Sequence, residues 1–155
     1  MAAFSRKAIR KALFSRLQAS VQGIRHWTMQ PEGFDDVKSK PALVLVTEQH
    51  SAQTEAGLPT IWTFEYTARL WTRGTGLASE ESPDDELDDW LDQIHGALKH
   101  QSTEGYSDMG PSDAQTTLGG LVQRAWISGP VQFGTVKGGE SFIDVPIEVV
   151  AVEGA

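Results

Sequence analysis

The stretch from Pro83 to His100 constrains the fold more than any other part of the chain. Leu87, Leu91, Ile94 and Leu98 recur at spacings of four, three and four, which sets them on one face of a helix. Ser82 suits an N-cap, and Pro83 suits a first turn, where its missing N–H is no loss. Asp84, Asp85 and Glu86 put negative charge at the helix start, and Lys99 and His100 stand at its end. That is the polarity a helix dipole favours. A helix with one apolar face needs a surface to cover. Strand-like segments before and after it in the chain supply a sheet.

Residues 4–22 read as a second helix, with Phe4, Ala8, Leu13, Phe14, Leu17 and Val21 as its apolar stripe and Gly23 as its stop. Arg6, Lys7, Arg10 and Lys11 fall on its remaining surface. Arg25 to Met29 reads as a short strand. Ala42 to Thr47 is almost wholly apolar, the pattern of a strand covered on both faces. Glu48 to Pro59 reads as a hairpin loop into a long strand, Thr60 to Arg73. There Trp62, Phe64, Tyr66, Ala68 and Leu70 alternate with Thr63, Glu65, Thr67, Arg69 and Trp71. Leu121 to Ser128, Val131 to Val136 and Ser141 to Glu153 complete the strands. Pro146 lacks a donor, which suits the last one as an edge strand or an edge portion of it.

These elements predict one α+β domain over residues 1–155. Its antiparallel or mixed sheet has about four to five strands, with two main helices packed on one face. Flexible segments are expected near 48–59, 74–82 and 101–115, where polar and turn-forming residues gather.

The residues that usually carry chemistry do not assemble into a motif. The chain has no cysteine, so disulfides and thiolate sites are excluded. His26, His50, His95 and His100 include no i, i+4 metal pair. Eight acids crowd residues 80–92, without the ligand spacing of a calcium loop. The glycine pairs Gly119-Gly120 and Gly138-Gly139 lack phosphate-cradling spacing, and no nucleophile elbow occurs. No catalytic residue, cofactor or metal site is therefore expected, and the chain does not read as an enzyme. The longest apolar runs are too short to span a membrane. No apolar stretch follows the basic N-terminus, so no signal peptide is expected.

Charge is distributed unevenly. Residues 1–31 carry six bases and no acid, while the rest carries seven bases and 21 acids. A basic end on an acidic body can bind nucleic acid, or it can dock on the acidic surface of a neighbouring copy. Five tryptophans are many for this length. Trp62 reads as core. Trp71 lies on the other strand face beside Arg69 and Arg73, and Trp90 lies off the Leu87–Leu98 stripe. Exposed tryptophan and arginine are enriched at interfaces. The expected interface residues are Arg6, Lys7, Arg10, Lys11, Arg69, Trp71, Arg73, Asp85, Asp89 and Trp90. Reversing Asp85 and Asp89 is expected to weaken assembly.

The order of elements then becomes informative. The chain runs from Arg6-Lys7-Ala8-Ile9-Arg10-Lys11-Ala12-Leu13 through Lys40-Pro41-Ala42-Leu43-Val44-Leu45-Val46 to a long aromatic strand. An acidic linker enters Asp84-Asp85-Glu86-Leu87-Asp88-Asp89-Trp90-Leu91. Thr117-Leu118-Gly119-Gly120-Leu121-Val122 then opens a strand, and a valine-rich strand follows. This layout resembles the tail terminator proteins of tailed bacteriophages, the minor tail protein U type. The resemblance implies an α+β subunit that forms a hexameric ring on the finished tail tube. It implies contacts with the tail tube protein and a head-completion protein, with DNA passing through the lumen without sequence recognition. The implied place is the virion, reached from the host cytoplasm during assembly. Alternatives are an adjacent neck role in tail completion or head closure, a small ligand-binding or enzymatic domain, or a nucleic-acid binder acting through Arg6, Lys7, Arg10 and Lys11.

Overall fold

The structure is a computed structural model and describes residues 5–29, 41–72, 83–98, 117–118, 121–135 and 141–153. Two helices, α1 (Arg6–Ser20) and α2 (Pro83–Leu98), are packed against a six-stranded mixed sheet. The strands are β1 (His26–Thr28), β2 (Ala42–Gln53), β3 (Thr60–Trp71), β4 (Arg124–Ile127), β5 (Gln132–Thr135) and β6 (Ser141–Glu153). Their spatial order is β1-β2-β3-β6-β4, and β5 also pairs with β6. The β1–β2 pair is parallel and every other pair is antiparallel. The α+β architecture expected from the sequence is thus present, with slightly more strands than the pattern suggested.

Helix α1 starts where Ser5 accepts a hydrogen bond from the Ala8 N–H, and Val21 caps its end by donating to the Leu17 carbonyl. Gly23 follows at φ +84°, a left-handed turn that suits glycine. Its core residues are Ile9, Leu13 and Leu17. The expected stripe placed Ala8 there, but the steps of four from Ile9 bring larger side chains onto the sheet. Phe14 is half-buried and meets the edge of the Trp27 ring on β1.

The core lies between the helices and one sheet face. Leu43 and Leu45 of β2, Phe64, Tyr66, Ala68 and Leu70 of β3, and Ile143, Val145, Ile147 and Val149 of β6 pack with Leu87, Trp90, Ile94, Ala97 and Leu98 of α2. Each large aliphatic side chain buried there contributes about 1.5–3 kcal/mol. The strict alternation along β3 and β6 works because the two strands pair in register over twelve positions. Residues Thr72 and Ser141 extend that ladder and are buried. The Thr72 N–H donates to the Ser141 carbonyl, and the Ser141 N–H donates to Thr72 Oγ1 at 3.1 Å.

Two strand boundaries differ most from the sequence pattern. Strand β2 runs to Gln53, so the hairpin loop is 54–59 rather than the whole of 48–59. Thr47 to Gln53 are all exposed, so the segment carries no apolar alternation; backbone pairing with β3 holds it, with the His50 ring edge-on to Phe64 at 4.7 Å. A register shift between Thr47 and Gln49 also breaks its phase: Leu45 opposes Ala68, but His50 opposes Phe64. Strand β4 begins at Arg124 rather than Leu121, because a turn closed by the Val122 N–H on the Thr117 carbonyl precedes it.

Pro146 lies inside a strand that is paired on both sides. Strands β4 and β5 sit end to end along one edge of β6, opposite its residues 147–150 and 141–144. Pro146 falls between them, where the chain crosses through Ser128, Gly129 and Pro130. Its carbonyl accepts from the Ser128 N–H on that side, so its missing N–H faces the gap, where β6 has no ladder partner. Strand β6 is therefore not the edge strand its proline suggested; Pro146 sits at a local gap in one of its two ladders.

Candidate functional site

The clefts of the described residues are shallow and do not gather reactive groups. One of about 410 Å³ is lined by Gly23, Ile24, Arg25, Pro41, Glu86 and Trp90. Another of about 290 Å³ lies at the hairpin end, between Leu58, Pro59, Ile61 and Val152. A third, of about 200 Å³, holds Glu48, Thr67, Arg69 and Asp144. No group of three or more potential metal ligands occurs among the described residues. No described helix is long and apolar enough to cross a membrane.

The two helices divide the charge. Helix α1 lies at the β1–β2 end of the sheet. Its Phe14 meets Trp27 of β1, and Arg6 and Arg10 act electrostatically on His50 of β2. Helix α2 packs on β4 and β6 at the other end. Between the helices, Arg16 Nε donates to the Ala97 carbonyl at 2.8 Å, and the Gln22 N–H donates to Gln93 Oε1 at 2.7 Å. Lys7 and Lys11 are exposed on the α1 end, and Asp85, Asp88, Asp89 and Asp92 are exposed on the α2 end. At about 100° per residue, Asp88 and Asp92 lie on the flank of α2 away from Glu86 and Gln93, the side that meets α1. Asp85 and Asp89 project nearly opposite Leu87, above the sheet.

The basic set is only partly on the surface. The Arg6 guanidinium stacks 4.1 Å from the centroid of the Trp62 ring, and Trp62 Nε1 donates to Glu153 Oε2 at 2.6 Å. Arg10 is half-buried beside His50 and Tyr66. Helix α1 has no acid in its first turn, so Arg6 and Lys7 stand at the positive end of its dipole. Helix energetics alone disfavour that arrangement; the Trp62 face compensates for Arg6.

Burial and this cationic setting perturb three groups. Partial burial lowers the His50 pKa, with Arg6 and then Arg10 adding to the effect. Burial pushes the Tyr66 phenol up to about 12, against an opposing pull from Arg10. The Tyr66 hydroxyl is buried with no hydrogen-bond partner among the described residues. Arg69 is held above its ordinary value chiefly by its hydrogen bond to Asp144, which more than offsets its partial burial.

Two expected interface residues are core instead. Trp90 is 4% exposed, packs with Leu87 and Ile94, and donates its indole N–H to the Gln22 carbonyl at 3.2 Å. Its offset from the Leu87–Leu98 stripe points it into the junction between α2 and α1. Trp71 is 3% exposed, in a second apolar cluster with Ala42 and Val44 on the opposite sheet face. The sequence showed which face Trp71 takes but not that the face is covered there. Arg69 is engaged with Asp144. Arg73 lies outside the described residues, as do segments 74–82 and 101–115.

Sequence reasoning missed the exposed polar half of β2 as an element. Polar composition concealed it, and no periodicity could have revealed it. Comparison of the chain with protein-family models gives no match, and comparison with curated proteins gives none.

Proposed function

We propose that this chain is a structural ring protein of a bacteriophage tail. It caps the tail tube, stops its elongation and presents the surface to which the head-completion protein binds. The observation that carries this reading is the division of charge across the fold, with the cations of α1 at one end of the sheet and the exposed acids of α2 at the other. A subunit with unlike flanks is suited to head-to-tail contacts, which form a ring where the rotation between copies closes. The layout resemblance supplies the tail context, and DNA would pass through the lumen of such a ring without being read.

The test is tail assembly with and without the protein, followed by electron microscopy. Tubes of defined length ending in a ring that contains this chain are expected, with overlong tubes in its absence. A protein that remains monomeric and never appears in purified virions would end the proposal. Labelling its position in the particle separates a terminator from a tail-completion or head-closure protein.

A further inference from the structure

Strand β1 covers the outer side of β2 only at Ala42 to Val44. Beyond that, β2 has no outer strand among the described residues, and Thr47 to Gln53 are all exposed. An open strand edge is a template for another strand, and folded proteins usually guard it with lysine, proline or a bulge. Here the segment Thr47-Glu48-Gln49-His50-Ser51-Ala52-Gln53 has no lysine and no proline. Among the described residues only the irregularity at Glu48 interrupts this edge, and the five residues after it pair with β3 in unbroken register, from Gln49 opposite Glu65 to Gln53 opposite Ile61. The sheet's other open edge is formed by β4 and β5, where Phe133 stands 47% exposed.

We infer that the open half of β2 pairs with the β4 edge of a second copy, so that the sheet continues from subunit to subunit. Three observations bear on this occupant; the first two permit it and the third selects it. The first is strand direction. Strands β2 and β6 run the same way and β4 runs opposite. Rotation about an axis parallel to the strands therefore brings β2 of one copy beside β4 of the next in antiparallel sense. The second is the helix layer. The same rotation keeps both helices on one face and sets α1 of one copy beside α2 of the next. The third is charge. Pairing β2 with β2 of another copy would oppose Arg6, Lys7, Arg10 and Lys11 to themselves. Pairing β4 with β4 would oppose the α2 acids. Only the unlike pairing sets Lys7 and Lys11 toward Asp88 and Asp92.

This deepens the ring reading and rests on it for the presence of neighbouring copies, but its test needs no tail tube. The chain has no cysteine, so single cysteines report cleanly. Ser51→Cys marks β2 and Ser128→Cys marks the end of β4; both positions are exposed. The two concentrated variants are mixed and treated with a short bismaleimide. Covalent dimers joining one variant to the other are expected, about tenfold above either variant alone. Lys7→Glu with Lys11→Glu in the first variant should abolish them, and Asp88→Lys with Asp92→Lys in the second should restore them. Circular dichroism checks that each variant is folded. Self-linking of Ser51→Cys equal to the mixed yield, or a mixed yield no higher than that of an exposed control cysteine at Gln18, overturns the inference. Crosslinking that succeeds while tube length is unaffected by the protein would retain this interface and remove the tail reading.

Discussion

Arg69 grips Asp144 across the β3–β6 pair through two parallel hydrogen bonds, Nε to Oδ1 at 2.6 Å and Nη2 to Oδ2 at 2.8 Å. The same guanidinium lies 5.5 Å from the centroid of the Phe142 ring. An arginine that looks like an interface residue in the sequence is thus used inside the subunit. The Arg69 side chain is 42% exposed, which limits what the pair contributes. A double-mutant cycle with Arg69→Ala and Asp144→Ala should give a coupling of about 1 kcal/mol in urea unfolding. Arg69→Lys should lose much of it, since lysine cannot make the two-pronged contact. If Arg69→Ala left stability unchanged but impaired assembly, the arginine would belong to the interface after all.

Tyr66 buries a hydroxyl that finds no partner among the described residues. Tyr66→Phe removes that group while keeping the ring against Phe64, so stability should rise by about 1 kcal/mol. The pH dependence has a definite sign. The unfolded phenol ionises near its ordinary value of 10, whereas the folded one resists to about 12. Between those values the native state holds a proton the unfolded state has lost, so stability falls as pH rises from 10 to 12. In Tyr66→Phe this alkaline loss should shrink, and the late-ionising tyrosinate absorbance should vanish. A less stable Tyr66→Phe protein would mean that the hydroxyl has a partner.

Much of this architecture is legible in the sequence because it rests on periodicity. The alternation of β3 and β6 and the spacing of Leu87, Leu91, Ile94 and Leu98 report directly which faces are apolar. What remained hidden depends on other kinds of information. The exposed half of β2 is held mainly by backbone pairing with β3, which no side-chain pattern reports. The burial of Trp90 depends on where α1 ends, because Gln22 supplies the acceptor for its indole. The burial of Trp71 depends on long-range pairing, which sets Ala42 opposite it. The charge division is plain in the sequence, but its placement at opposite ends of the sheet requires the strand order.

His50 is a second pH probe, of opposite sense. Its pKa lies below the ordinary 6.5, through burial first and the nearby Arg6 and Arg10 next. As pH falls through 6.5 the unfolded state takes up a proton before the native state does. His50 therefore contributes a loss of stability on acidification that is absent above that range. His50→Gln should flatten this part of the thermal stability profile. Arg6→Gln with Arg10→Gln should move the histidine titration upward when followed by NMR. A histidine that titrates at its ordinary value in the intact protein would contradict the cationic setting assigned to it.

Trp90 separates core from interface most sharply. Its indole fills the junction of α1 and α2 beside Leu87 and Ile94, and its N–H reaches the Gln22 carbonyl. Truncation to alanine should cost about 3–5 kcal/mol, from lost burial and the cavity left behind. Trp90→Phe keeps most of the volume and removes the donor, so it should cost less; part of that cost is the unpaired Gln22 carbonyl, at about 1 kcal/mol. Both effects should appear in the unfolding of the isolated chain. Assembly of the folded Trp90→Phe protein should remain normal, because the indole is almost wholly buried. Impaired assembly with unchanged stability would instead place Trp90 at a contact between copies.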